Sequence, residues 1–110
     1  MGYKASELDD EQLDLAVALA AIAAGALDIK VTDAGRPTIL DVDGLHWVPF
    51  RPSVNWAHIG PFIEQERMTF YEDRGKPDAN INSDSGTFSC AGPTHLIAAA
   101  RAYLASRLGA

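Results

Sequence analysis

The sequence predicts an α+β fold: a small antiparallel sheet of three to five strands, including a hairpin over residues 38–48, packed with long N-terminal and C-terminal helices. Three observations carry this. Alanine-rich apolar runs with start and stop signals open and close the chain, an Asp43-Gly44 turn sits between two short apolar stretches, and prolines and glycines punctuate everything between the helices.

The opening helix is predicted over about 10–24. Asp9 suits the N-cap with Gln12 three residues on to return a bond, Leu8 and Leu13 form a staple across the start, and Ser6 with Asp9 makes a competing box. Asp10, Glu11 and Asp14 lie in the first turns, where carboxylates favour the positive end of the helix dipole, and Gly25 can take the left-handed stop position. At 100° per residue Leu13, Val17, Ala20 and Ala24 share one side and Leu15, Leu19 and Ile22 the other. That leaves a narrow strip through Asp10, Asp14 and Ala21 for solvent.

A strand over 27–32 and a turn over 33–37 lead into the hairpin, where Asp43-Gly44 reads as a two-residue turn. In that register Val42 opposes Leu45, Leu40 opposes Trp47, and Asp41 faces His46 as an ion pair when the ring is charged. Trp47 is expected in the core. Pro49 and Pro52 end the hairpin, and 55–65 is either a short helix interrupted at Gly60-Pro61 or an extended connector. Residues 68–71 and 87–90 are strand candidates. The polar stretch 73–86, DRGKPDANINSDSG, reads as one long flexible loop within a single domain spanning 1–110.

The closing helix is predicted to start at Pro93 behind a Gly92 cap and to stop at Gly109. Leu96, Ile97, Ala100, Tyr103, Leu104 and Leu108 form its apolar face. A second stripe of His95, Ala99, Ala102 and Ser106 is expected to face solvent.

Composition narrows the function. With 110 residues and a formal net charge of −6, the chain is one domain in size and disfavours direct binding to nucleic acid or anionic membrane. The apolar run 15–27 follows Asp9, Asp10, Glu11 and Asp14, the wrong sign for a secretory signal, and thirteen residues fall short of the roughly 20 needed to span a bilayer. One cysteine builds no internal disulfide, so a cytoplasmic protein is expected.

Chemistry-bearing residues are sparse. Cys90 precedes the closing helix and His95 lies near its first turn, a pair that can be drawn as thiolate and base, but nothing supplies an orienting third group or an oxyanion hole. The alternative is a buried thiol at a strand end. His46, His58, His95 and Cys90 lack the pair spacings of zinc sites, and no phosphate-binding glycine motif is present, so neither cofactor nor metal is expected.

Residues 50–63 concentrate Arg51, Asn55, Trp56 and His58 around proline breaks, the residue types that binding surfaces use. These four are the candidate partner-binding residues, expected as one partly exposed patch. The competing reading has Trp56, Ile59, Phe62 and Ile63 closing the core. A non-enzymatic module that binds another protein is the leading functional reading. An acidic decoy for a nucleic-acid-binding protein and a small Cys90-dependent enzyme are the alternatives, and a monomer or weak homodimer is expected.

Three blocks resemble the small NinX-like family of phage and prophage proteins. They are the opening Y-K-A-S-E-L-D-D-E-Q-L run from Tyr3 toward Gly25; the middle block with Pro52, Ser53, Asn55, Trp56, Pro61, Ile63, Glu64 and Met68; and the closing G-P-T-H-L-I-A-A-A-R-A-Y-L. The resemblance covers about half the chain and rests on block order and spacing. It implies a phage or prophage accessory protein acting in the bacterial cytoplasm, with a host or phage protein as the partner of the interaction module and a host defence protein as the target of the decoy. It carries no catalytic residue with it.

Overall fold

The computed structural model describes residues 10–41, 43–83 and 86–108. Element order is α1 (Asp10–Ala23), β1 (Ile29–Val31), β2 (Pro37–Leu40), β3 (Trp47–Pro49), α2 (Trp56–Gln65), β4 (Thr69–Asp73), β5 (Lys76–Ser83), β6 (Gly86–Ala91) and α3 (His95–Leu108). The fold is α+β, but its strands form two antiparallel sheets of three, β1-β2-β3 and β4-β5-β6, rather than one. Helix α1 packs on β1 and β2, α3 packs on β5 and β6, the two helices touch each other, and α2 leans on α3. Each terminal helix has 14 residues.

Helix α1 stops as its sequence directs. Gly25 sits at φ +99°, its N–H bonds to the Ile22 carbonyl at 3.0 Å, and the Ala26 N–H reaches back to Ala21 at 3.0 Å, the paired closure of a glycine-terminated helix. Its buried face differs from the expected one. Leu13, Val17, Ala18, Ala21 and Asp14 are buried while Leu19 and Ile22 are exposed, so Asp14 and Ala21, assigned to solvent, point inward. The reason is that α1 is apolar almost all round, so periodicity alone does not choose its inner face; the buried Asp14 is satisfied from elsewhere in the chain. Ser6, Leu8, Asp9, Val42 and Gly109, with the capping, staple, pairing and stop roles expected of them, lie outside the described residues.

In the first sheet Ile29, Ile39 and Val48 stand in one row facing α1, and Leu40 pairs with Trp47 in the register expected. The hairpin loop is longer than two residues: the Gly44 N–H closes on Asp41 at 2.9 Å, and Asp41 N–H bonds the His46 carbonyl at 2.7 Å. The His46 ring takes Asp43 as its partner, at 2.5 Å, in place of the expected Asp41. Trp47 is a further correction. It lies on the outer face, 38% exposed, with the Lys30 ammonium 4.5 Å above its ring. Apolar residues stand at both parities of β2 (Ile39, Leu40) and β3 (Trp47, Val48), so alternation within the hairpin does not say which row faces the helix.

The expected loop 73–86 contains β5, the central strand of the second sheet. Arg74 (φ +55°) and Gly75 (φ +79°) both take left-handed backbone, as a two-residue hairpin turn requires, and Asp73 pairs with Lys76 across it. Ala79 and Ile81 supply the buried positions, and Asn80 and Asn82 accept hydrogen bonds from Ser89 and Thr87 at 2.9 Å. Polar cross-strand pairs thus replace the β-branched residues that mark a strand in sequence.

Helix α3 starts later than expected. Thr94 is the cap, its hydroxyl accepting the Ile97 N–H at 3.1 Å, while Gly92 is buried and lets strand and helix approach closely. Ala99 and Ala102 are fully buried rather than solvent-facing, because α3 lies between the second sheet and α1. Phe50, Phe62 and Tyr103 form an aromatic run through the core, with centroids 6.2 and 4.6 Å apart. Arg107 lies over the Tyr103 ring and pairs with Glu66 at the end of α2.

Candidate functional site

Segment 51–58 is held by an interlocking set of hydrogen bonds. The Arg51 carbonyl accepts the N–H groups of Val54 and Asn55 at 3.2 and 2.9 Å, closing a turn. Asn55 then caps α2, its side chain accepting the Ala57 N–H at 2.9 Å, and His58 and Ile59 start the helix by bonding to the Asn55 carbonyl. The His58 ring turns back and accepts the Arg51 N–H on Nδ1 at 2.8 Å while stacking on Phe50 at 5.6 Å. Helix α2 continues through Gly60 and Pro61, so the expected proline break does not occur. Its Pro61 lies one turn inside the helix, and the loss of one N–H there is outweighed by burial of Ile59 and packing of Phe62 and Ile63.

Asp14 anchors the turn from below. It is 2% exposed, and its two oxygens accept the Ser53 N–H at 2.9 Å and the Ser53 hydroxyl at 3.0 Å; Ser53 itself is 1% exposed. Arg51 Nε lies 3.5 Å from the same carboxylate, with its side chain half in solvent. Burial pushes the Asp14 carboxyl above its ordinary value, against the pull of the Ser53 bonds and of Arg51. Burial also holds the His58 imidazole below 6.5, opposed by the charges of Asp14 and Asp41. A neutral ring is what the Arg51 bond requires, since the accepting Nδ1 must carry no proton.

The structure brings Arg51, Asn55, Trp56 and His58 together but divides their duties. Asn55 and His58 build the turn, one as cap and one as acceptor, whereas Arg51 and Trp56 present side chains outward. Trp56 is 57% exposed, with exposed Val54 two residues before it. Of the four residues in the competing reading, Ile59, Phe62 and Ile63 join the core and Trp56 does not. Sequence reasoning missed Asp14 and Ser53 as parts of the site: the acid is indistinguishable from other first-turn carboxylates, and 39 residues separate the pair.

Arg51 also borders a cleft of about 620 Å³ between the first turns of α1 (Glu11, Gln12, Asp14, Leu15), the β1–β2 turn with Arg36, and Pro49 and Phe50. That volume lies in the range of ligand-sized clefts.

The remaining chemical candidates do not converge. Cys90 is buried in β6, not placed at a helix start, and burial with the neighbouring Asp78 charge pushes its thiol up, against Arg101, so it keeps its proton at neutral pH. His95 is exposed at the start of α3, edge-on to Phe70 at 5.7 Å. Among the described residues no three His, Cys, Asp or Glu side chains are grouped as metal ligands, and no helix is long and apolar enough to cross a membrane.

No curated protein matches the sequence. The family model described as Bacteriophage P22, NinX matches residues 4–107, which takes in α1, the Asp14–Ser53 lock, the whole 51–58 segment and both sheets, and the chain therefore belongs to the phage P22 NinX family.

Proposed function

We propose that this NinX-family chain is a non-enzymatic phage accessory protein that binds a host or phage protein through segment 51–58, with Trp56 as the apolar anchor and Arg51 as the polar contact beside it. The observation that carries this reading is Trp56, 57% exposed on a turn whose backbone is fixed from three sides by Asp14, His58 and the Asn55 cap. A large ring on a fixed backbone gives up little conformational freedom on binding, which is why rigid aromatic anchors dominate interfaces. Isolated exposed apolar residues are ordinary, but Val54 and Trp56 are adjacent on one tied turn, and Arg51 connects them to a cleft that an extended segment of the partner can enter.

The test places a photo-crosslinking residue at position 54 and identifies the captured protein in phage-infected cells. The same capture is then repeated with Trp56→Ala and with Tyr71→Ala, an exposed aromatic on the second sheet. The reading expects one partner, lost with Trp56→Ala and kept with Tyr71→Ala. Equal capture by all three proteins, or a measured turnover that survives Trp56→Ala, overturns it.

A further inference from the structure

We infer that the free edge of β6 is a self-association surface, on which a second copy of this chain pairs its own β6 antiparallel across a two-fold axis at Phe88. The hydrogen-bond phase of the second sheet supplies the first step. The Gly92 N–H bonds the Pro77 carbonyl at 3.1 Å, and in this ladder residues whose numbers share that sum pair across the strands. Bonded pairs therefore alternate as 79 with 90, 81 with 88 and 83 with 86. Thr87, Ser89 and Ala91 then point their N–H and C=O groups away from β5. Among the described residues β6 packs chiefly against β5 and α3, and the Ala91 carbonyl takes the Arg101 guanidinium at 2.9 Å. What stays open is a run of backbone donors and acceptors at Thr87 and Ser89.

An open edge of this kind is normally blunted with lysine, proline or inward charge, and β6 (GTFSCA) has none of these. The opposite edge, β4, carries charge instead: the exposed Glu72 falls at one of its outward backbone positions, where a second copy would bring a like carboxylate near it. In a molecule of net charge −6 the uncharged edge is the one on which two copies meet with the least local repulsion. This selects a second copy over a basic partner strand, which the charged β4 edge would suit better.

The register follows from symmetry. Pairing Thr87 with Ser89 of the second copy, and the reverse, makes four backbone hydrogen bonds and sets the two Phe88 rings facing each other at the axis. A shift toward Ala91 runs into the Arg101 contact. The helices permit it as well. Helix α3 packs chiefly on β5 and β6 and meets β4 at the His95–Phe70 edge contact, so it lies mainly over the space between β5 and β6, and with strands spaced about 4.8 Å apart the two α3 axes fall roughly 10 Å from each other, the distance at which helices pack.

The test combines sedimentation equilibrium with amide hydrogen exchange read by NMR, from about 5 to about 500 μM protein, since association of this kind follows mass action. The expected result is a mass rising from 11.8 kDa toward twice that value. With it, the Thr87 and Ser89 amides gain protection at least tenfold as concentration rises, while the Phe88 amide, bonded within the monomer, stays protected throughout. Ser89→Pro removes an outward N–H and its side-chain bond to Asn80 but keeps every β5–β6 backbone bond, so it should remain monomeric; Thr87→Lys, which gives up the bond to Asn82 and keeps every backbone group, gives the same readout should the proline variant not fold. A wild-type mass fixed at the monomer, association undiminished in the folded variants, or Thr87 and Ser89 exchange independent of concentration overturns the inference.

Discussion

Asp14→Ala is the sharpest perturbation available, because one buried carboxylate satisfies two groups of Ser53 from the far side of the fold. Alanine strands the Ser53 N–H at a residue only 1% exposed, and a backbone N–H cannot turn toward another acceptor. Leaving such a donor unmet costs about 1–3 kcal/mol. The Ser53 hydroxyl can rotate and loses less, and the half-exposed Arg51 contact at 3.5 Å adds at most about 0.5 kcal/mol. Removing a carboxylate that burial disfavours gives some of this back, so the expected loss is about 2–3 kcal/mol, or roughly 10–20 °C in melting temperature for a domain of this size. Asp14→Asn keeps an oxygen for the N–H and an amide for the hydroxyl and should cost about 1 kcal/mol or less. The pH dependence has a definite sign. Since the folded carboxyl titrates above its unfolded value of about 3.9, its contribution is complete below that pH and is lost as pH rises through the folded value. Urea titrations at several pH values measure all three quantities. A loss under 0.5 kcal/mol for Asp14→Ala, or an Asp14→Asn stability curve parallel to wild type across that pH range, refutes the assignment of the lock.

Four further outcomes are expected. His58 titrates below 6.5 in the folded protein, so its stabilising bond is complete above that pH and weakens as pH falls through it; an NMR titration with a midpoint above 6.5 contradicts the Arg51 contact. Gly92→Ala places a Cβ 2.9 Å from the Ala98 nitrogen and 3.0 Å from Ile97 Cγ2, which should cost about 1–3 kcal/mol in a urea melt. Trp47→Ala should cost under about 1 kcal/mol, well short of the roughly 3–5 kcal/mol of a core aromatic, since the ring lies on the outer face of its sheet. Cys90 should react slowly with a thiol reagent at pH 7 until urea unfolds the chain, and fast native labelling would show the thiol to be open or ionised.

The elements that were legible in the sequence were those with local punctuation. Gly25 ends α1 because only the local backbone is involved, and the Leu40–Trp47 register follows from where the hairpin turns. What escaped depends on which neighbour arrives. Ala21 and Asp14 point inward because α1 is covered on the side that periodicity left open, and Ala99 and Ala102 are buried because α1 and the second sheet close on α3 from both sides. Strand β5 escaped for a different reason: its outward asparagines are turn formers by propensity and become strand residues only through Ser89 and Thr87 across the ladder. At the site, aromatic and arginine clustering located segment 51–58, whereas the helical cap and the backbone bond of His58 turned two expected contact residues into scaffold.

That division gives the buried charge at Asp14 a physical rationale. Replacing a buried ion pair with apolar groups often costs a protein nothing in stability, so stability alone is a weak reason to keep a carboxylate at 2% exposure. Direction is a stronger one. An apolar residue at position 14 could fill the space under the turn, yet it would leave the turn free to rotate about its contact. A carboxylate accepting two Ser53 donors accepts them in one orientation, and Arg51, 3.5 Å away, is drawn to the same edge. With the Asn55 cap fixing the next residue and the His58 ring closing on the Arg51 N–H, the direction in which Trp56 leaves the surface is set before any partner arrives. On the proposed reading, the loss of freedom that binding would otherwise impose on this segment is met during folding, by Asp14, Ser53, Asn55 and His58 and not by the contact residues themselves.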